Sequence, residues 1–133
     1  MNRLITLVAL VEIFRTVSLA DAGQRNFTIL VIVVPAYSVF NEEVESYLKR
    51  ELRGLRDVAL VEKKGNFLIS VVAAPLEVDG KVTGVALSYV FQDMDTFMML
   101  HNVDIGERGT LKNMCERIVA MFDSKFLEFY RGK

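Results

Sequence analysis

Tryptophan is absent from this chain of 133 residues, and cysteine and histidine occur once each, at Cys115 and His101. A single cysteine excludes an intramolecular disulfide. One histidine and one cysteine are too few nitrogen and sulfur ligands for a zinc or copper site. No spaced Asp/Asn loop of the EF-hand kind offers calcium a home. The scarcity of histidine also removes most triad chemistry, and Ser18, Ser38, Ser46, Ser70, Ser88 and Ser124 lack a nucleophile-elbow context. Asp93 and Asp95 are close in sequence, but their i,i+2 spacing holds two carboxylates together only in an extended segment. There is no G-x-G-x-x-G and no P-loop, so nucleotide binding has no support. The expectation is a protein without catalytic set, metal or cofactor, and not an enzyme.

Neither sign of charge dominates. Lys+Arg number 16 and Asp+Glu 17, a formal net charge of −1. A nucleic-acid binder needs a basic face to neutralise phosphates, and an anionic membrane surface calls for a polybasic cluster. Neither is present.

What is there begins with MNRLITLVALVEIFRTVSLADAG. Arg3 supplies a basic start, Leu4 to Val11 an apolar run, and Ser18-Leu19-Ala20 small residues before a cleavage point, the pattern of a secretory signal peptide. The run is too short for a membrane span. Cleavage after Ala20 would start the mature chain at Asp21 and leave 113 residues with a formal charge of −2. That is enough for one domain, residues 21–133, with a real core. Glu12 and Arg15 interrupt the run. The competing reading is therefore a retained N-terminal helix with Leu4, Val8, Val11 and Arg15 on one stripe. No cysteine follows the cleavage point to carry a lipid, so the expected location is periplasmic or secreted, with no membrane span in the mature chain.

Thr28 to Val34, closed by Pro35, reads as a central strand buried on both faces. Asn41 is a candidate helix cap, with Val44, Leu48, Leu52 and Leu55 as the apolar stripe, Glu45 and Lys49 as an i,i+4 pair, and Gly54 as the stop. Gly65-Asn66 and Asp79-Gly80 read as two-residue hairpin turns, making residues 57–92 an antiparallel meander. A direct count from Asp79-Gly80 sets Val72 against Leu87, Ser70 against Tyr89 and Leu68 against Phe91, with Ile69–Val90, Val71–Ser88 and Ala73–Ala86 on the other face. From Gly65-Asn66 the count sets Leu60 against Val71 and Val58 against Ala73. Pro75, placed opposite Gly84, predicts a bulge or strand edge. Leu111, Cys115, Ile118, Phe122, Phe126 and Phe129 recur at helical spacing, a final helix from about Thr110 to Tyr130. Asp104 and Glu107 could form a capping box one turn earlier. On this helix Cys115 falls on the apolar side, as a small buried hydrophobe.

The helix ending Leu48-Lys49-Arg50-Glu51-Leu52, the strand Asp57-Val58-Ala59-Leu60-Val61-Glu62 and the strand Asn66-Phe67-Leu68-Ile69-Ser70-Val71 resemble small exported α/β domains of the bacterial envelope. Examples are the N-terminal domain of TolB and the penicillin-binding-protein activator lipoproteins. The resemblance implies a non-catalytic adaptor that binds another envelope protein, and it carries no functional residue over. That group usually places a helix where this chain has only Lys63-Lys64-Gly65, and its lipoprotein members carry a cysteine absent here.

These readings combine into one α+β domain, a two-layer sandwich in the order β-α-β-β-β-α, with two helices on one face of a mainly antiparallel sheet. Its second sheet face, apolar and uncovered, suits an envelope protein partner or a homo-oligomer. Tyr89, Phe91, Met94, Phe97, Met98 and Met99 form the candidate partner or ligand surface, because methionines make adaptable apolar contacts. The bland reading of Met94 to His101 is a plug for one end of the core. Two alternatives stand beside protein–protein contact: an apolar small-molecule pocket lined by Met98, Tyr89 and Phe91, and a subunit of a larger membrane-associated assembly anchored by its N-terminus.

Overall fold

The structure, a computed structural model, describes residues 27–35 and 39–132. The proposed signal segment, residues 1–20, lies outside them. Among the described residues, a five-stranded mixed sheet carries the helices on one face. Its strands are β1 (Phe27–Val33), β2 (Val58–Val61), β3 (Phe67–Val78), β4 (Lys81–Asp93) and β5 (Met99–Glu107), in the spatial order β2-β1-β3-β4-β5. Helix α1 (Asn41–Arg53) follows β1. Helix α2 (Leu111–Met121) follows β5, widens into a π turn over Phe122–Leu127 and ends in a short α3 (Glu128–Arg131). The expected α+β two-layer class is the observed one, and the longer ladders are antiparallel.

α1 forms where its stripe predicts. Val44, Leu48 and Leu52 are buried, Glu42 and Glu43 sit at the positive end of the helix dipole and Arg50 and Arg53 at the negative end. Glu45 and Lys49 pair at 2.8 Å across one turn. The cap is corrected: Phe40 occupies the N-cap position with no side-chain cap bond, and its carbonyl accepts the Val44 N–H at 2.9 Å. The Asn41 Oδ1 is buried without a hydrogen-bond partner among the described residues.

Two expected pairings are overturned. Gly65-Asn66 makes no hairpin, and β2 does not meet β3. Both run parallel to β1, which lies between them, with Leu30 opposite Val61 on one side and Ile29 opposite Phe67 on the other. The connection from Val61 to Phe67 therefore crosses over β1. Thr28 explains why Asn66 does not turn back toward β2. The Thr28 N–H and hydroxyl donate to the Asn66 Oδ1 at 3.1 and 2.8 Å, and the Asn66 N–H donates to the Thr28 Oγ1 at 2.9 Å. Gly65 lies flat on the β1–β3 seam, where a Cβ would come within 2.9 Å of the Leu30 nitrogen and the Thr28 and Phe67 carbonyl oxygens. β1 is central as expected, though not buried on both faces, since Ile32 is exposed.

The Asp79-Gly80 hairpin forms, with Asp79 and Gly80 both at positive φ. The direct register does not survive past its first two pairs. Glu77 pairs with Val82 and Leu76 with Gly84, leaving Thr83 as the extra residue of a bulge. The expectation of a bulge near Pro75 and Gly84 holds, but its effect is larger than foreseen, because one residue of slip exchanges the faces. Ile69 now meets Phe91, Val71 meets Tyr89 and Ala73 meets Leu87. The large side chains of β4 all face the helices with those of β3.

β5 was not anticipated, and the proposed Asp104–Glu107 capping box lies within it. Asp104 instead accepts a 2.8 Å bond from Arg117 on α2. The last helix keeps Leu111, Cys115, Ile118, Phe122 and Phe126 inside. The π turn then shifts the helical phase, so Phe129 is exposed and Tyr130 takes the inner position, 4.8 Å from the Phe67 ring.

Gly65→Ala is expected to lower stability by roughly 1–3 kcal/mol, since the surrounding atoms are backbone and cannot yield. Gly109→Ala, where nothing lies within 4 Å, is expected to change stability by less than about 0.5 kcal/mol. Thermal and urea unfolding of the two variants side by side checks the crossover.

Candidate partner-binding site

β4 ends at Asp93 and β5 starts at Met99, and the five residues between them make a tight, fully bonded turn. The Asp93 N–H donates to the Met98 carbonyl at 2.8 Å, the Phe97 N–H to the Asp93 carbonyl at 2.9 Å, and the Met94 N–H to the Asn66 carbonyl at 3.0 Å. The Asp93 carboxylate organises the interior of the turn. Its Oδ1 accepts the Asp95 and Thr96 N–H groups at 2.8 and 3.2 Å, and its Oδ2 accepts the Tyr130 hydroxyl at 2.7 Å. An aspartate that caps the amides two and three residues on is the usual side-chain mimic of a backbone turn.

Asp93 is the buried charged residue of the described core. Burial alone would raise its pKa, but the bonds from Tyr130, Asp95 and Thr96 outweigh that and hold it below the ordinary carboxylate value. On the other side of the bond, burial and the neighbouring carboxylate push the Tyr130 hydroxyl up to about 12. The pair is thus a charged acceptor with a firmly protonated donor.

This anchor faces an apolar exterior. Met94, Met98 and Met99 are exposed, and Phe97 is 70% exposed with φ at +61°. A bulky residue at positive φ is a genuine outlier, held only where its surroundings over-determine it. The Met98 N–H bond to the Thr96 Oγ1 (3.4 Å) adds to the fixing of Phe97. Beside the turn a hollow of about 200 Å³ is lined by Met98, Met99, Leu100, Lys125, Phe126 and Phe129.

The six residues singled out from sequence therefore divide. Met94, Phe97, Met98 and Met99 are brought together at the surface. Tyr89 and Phe91 are core residues, 5.3 Å apart by ring centroid, with Phe91 5.0 Å from Phe122 and the Tyr89 hydroxyl 3.5 Å from the Met121 sulfur. The core-plug reading of the methionine segment fails because these side chains point outward. Asp93 and Tyr130 were missed as site residues, although an aspartate opening a D-x-x-T turn was a readable signal. Cys115 is buried, and burial pushes its thiol up to about 12, far from a reactive thiolate. Among the described residues no group of three or more His, Cys, Asp or Glu is placed to hold a metal ion, and no helix is long and apolar enough to cross a membrane.

The second sheet face carries Leu30, Leu68, Val72, Ala86 and Val90, half-buried, with exposed Ile32, Val103 and Ile105 around them. One polar pair crosses it, with the Ser88 Oγ 2.9 Å from the His101 Nε2.

No protein-family model matches the sequence, and no curated protein does. Among solved structures, the chain is similar to the dodecameric PelC of Paraburkholderia phytofirmans, at 13% identity and a TM-score of 0.46, over 70% of this chain and 79% of that one. It is also similar to a minor lipoprotein of Acinetobacter baumannii, at 13% identity and a TM-score of 0.40, over 71% of this chain and 91% of that one. Likeness this distant carries no functional inference.

Two outcomes follow from the geometry. Met98→Ser combined with Met99→Ser is expected to leave the melting temperature nearly unchanged, while Phe91→Ala costs about 3–5 kcal/mol. Because the Asp93 pKa is lowered on folding, its contribution is present above the unfolded value of about 3.9 and is lost as pH falls through the folded value. Asp93→Asn should flatten the loss of stability below about pH 4 in denaturation curves taken at stepped pH.

Proposed function

We propose that this chain is an exported, non-enzymatic accessory domain of the bacterial cell envelope that works through protein–protein contact. The apolar turn Met94–Met99 is its main contact surface, with the sheet face that the described residues leave uncovered beside it. The observation that carries the reading is Phe97, exposed yet locked at positive φ by a turn with a buried carboxylate at its centre. Such a turn presents a large apolar side chain at little further entropic cost on binding, as a preorganised anchor does. Flexible methionines on either side can adapt to the partner's shape. Export rests on the residues 1–20 pattern.

The apolar-ligand alternative loses its expected lining, since Tyr89 and Phe91 belong to the filled core. The hollow left beside Met98, about 200 Å³, is smaller than the roughly 300–1,000 Å³ of ordinary ligand pockets.

A pull-down from native envelope with the tag at Lys133 tests the proposal. The unmodified chain should capture a partner, and a Phe97→Ser, Met98→Ser variant should recover about tenfold less, matching loss of about 1.4 kcal/mol or more. The same variant should unfold at an unchanged temperature. Equal recovery by the variant would sink the assignment of the turn.

A further inference from the structure

The two edges of the sheet are built differently. β2 is four residues long and runs into Lys63 and Lys64, the short, charged design that keeps an edge from pairing. β5 is nine residues long, contains neither lysine nor proline, and has no strand on its outer side among the described residues. Of its two carboxylates, Asp104 is turned to the helix side and held by Arg117, and Glu107 stands at the strand's end.

The outward groups of β5 can be read from its bonding. The Asp93 N–H bonds to the Met98 carbonyl, so Leu100, Asn102 and Asp104 turn their backbone groups inward to β4. Met99, His101, Val103, Ile105 and Glu107 therefore turn theirs outward. The outward Val103 N–H donates to the Asn102 Oδ1 at 2.8 Å, a bond that pairing with a second strand would exchange for one to the partner's backbone.

We propose that β5 pairs antiparallel with β5 of a second copy about a two-fold axis at Val103, joining two sheets into one of ten strands. Val103 is the midpoint of the strand, so this register alone pairs all nine residues and matches every outward-facing residue with another. On the open face it sets Val103 against Val103, His101 against Ile105 and Met99 against Glu107. On the helix side it sets Asn102, whose amide nitrogen lies 3.7 Å from the Met121 sulfur, against Asp104, which Arg117 holds, so no like charges oppose there. An axis at Asp104 would instead oppose two carboxylates, which is destabilising. An axis at Asn102 leaves Gly106 and Glu107 unpaired. The interface is isologous and closes at two copies. It rests on the edge strand and does not depend on the function proposed for the apolar turn.

Sedimentation velocity of the purified chain from low to high micromolar concentration should show a monomer–dimer equilibrium. Val103→Pro removes an outward N–H and its bond to the Asn102 side chain without breaking a β4 bond, and should give a folded monomer. Val103→Cys places two thiols across the axis on paired Cα atoms about 5.5 Å apart, within disulfide range. Ile105→Cys leaves its two thiols roughly 13 Å apart, out of range. Mild oxidation should therefore link the first variant at least about tenfold more completely than the second. The buried Cys115 does not compete. The cysteine pair decides the register even if Val103→Pro does not fold. A chain that stays monomeric, an assembly larger than two, a folded Val103→Pro that still dimerises, or equal linking of the two cysteine variants would each overturn the proposal.

Discussion

Five residues laid across β1 decide the architecture. Once Glu62 to Asn66 crosses from one side of β1 to the other, β1 is enclosed by two parallel neighbours, and β3, β4 and β5 can extend in one direction only. A crossing this short leaves no room for a helix, so the chain relies on contact between loop and strand. The absence of a side chain at Gly65 allows the approach, and Thr28 and Asn66 exchange three hydrogen bonds to fix it. Because Asn66 also receives the Met94 N–H, the same loop supports the apolar turn at the end of the sheet.

That turn combines opposed requirements in a small space. Its interior is a carboxylate excluded from water and satisfied by two amides and a phenol; its exterior is methionine and phenylalanine left in water. Neither half is favourable alone, since an unpaired buried charge and an exposed apolar group both cost free energy. The interior bonds compensate the first cost. The second is not compensated by any of the described residues, which is the ground on which the turn is proposed as a contact surface.

The sequence was legible where one signal acted alone. The α1 stripe with its glycine stop, the Asp79-Gly80 hairpin and the apolar face of the last helix are local patterns, and all three form. The failures trace to single residues that shift a phase. Thr83 bulges and exchanges the faces of β3 and β4 against each other; the π turn adds a residue to a helical turn and swaps Phe129 for Tyr130. β5 stayed hidden because its pattern is inverted, with Asn102, Asp104 and Gly106 toward the helices and Val103 and Ile105 toward solvent. The methionine segment stood out in sequence, yet its exposure depends on Asp93 and Tyr130, 37 positions apart.

The distance between those partners also governs the order in which the chain can close. Arg131 makes a two-pronged bond to Asp57, 74 positions earlier, at 2.8 and 3.1 Å, and gathers Asp123 and Glu128 beside it. Its neighbour Tyr130 completes the Asp93 turn. A chain made from its N-terminus must therefore reach residues 130 and 131 before either of these contacts can form, and shorter nascent chains lack both latches.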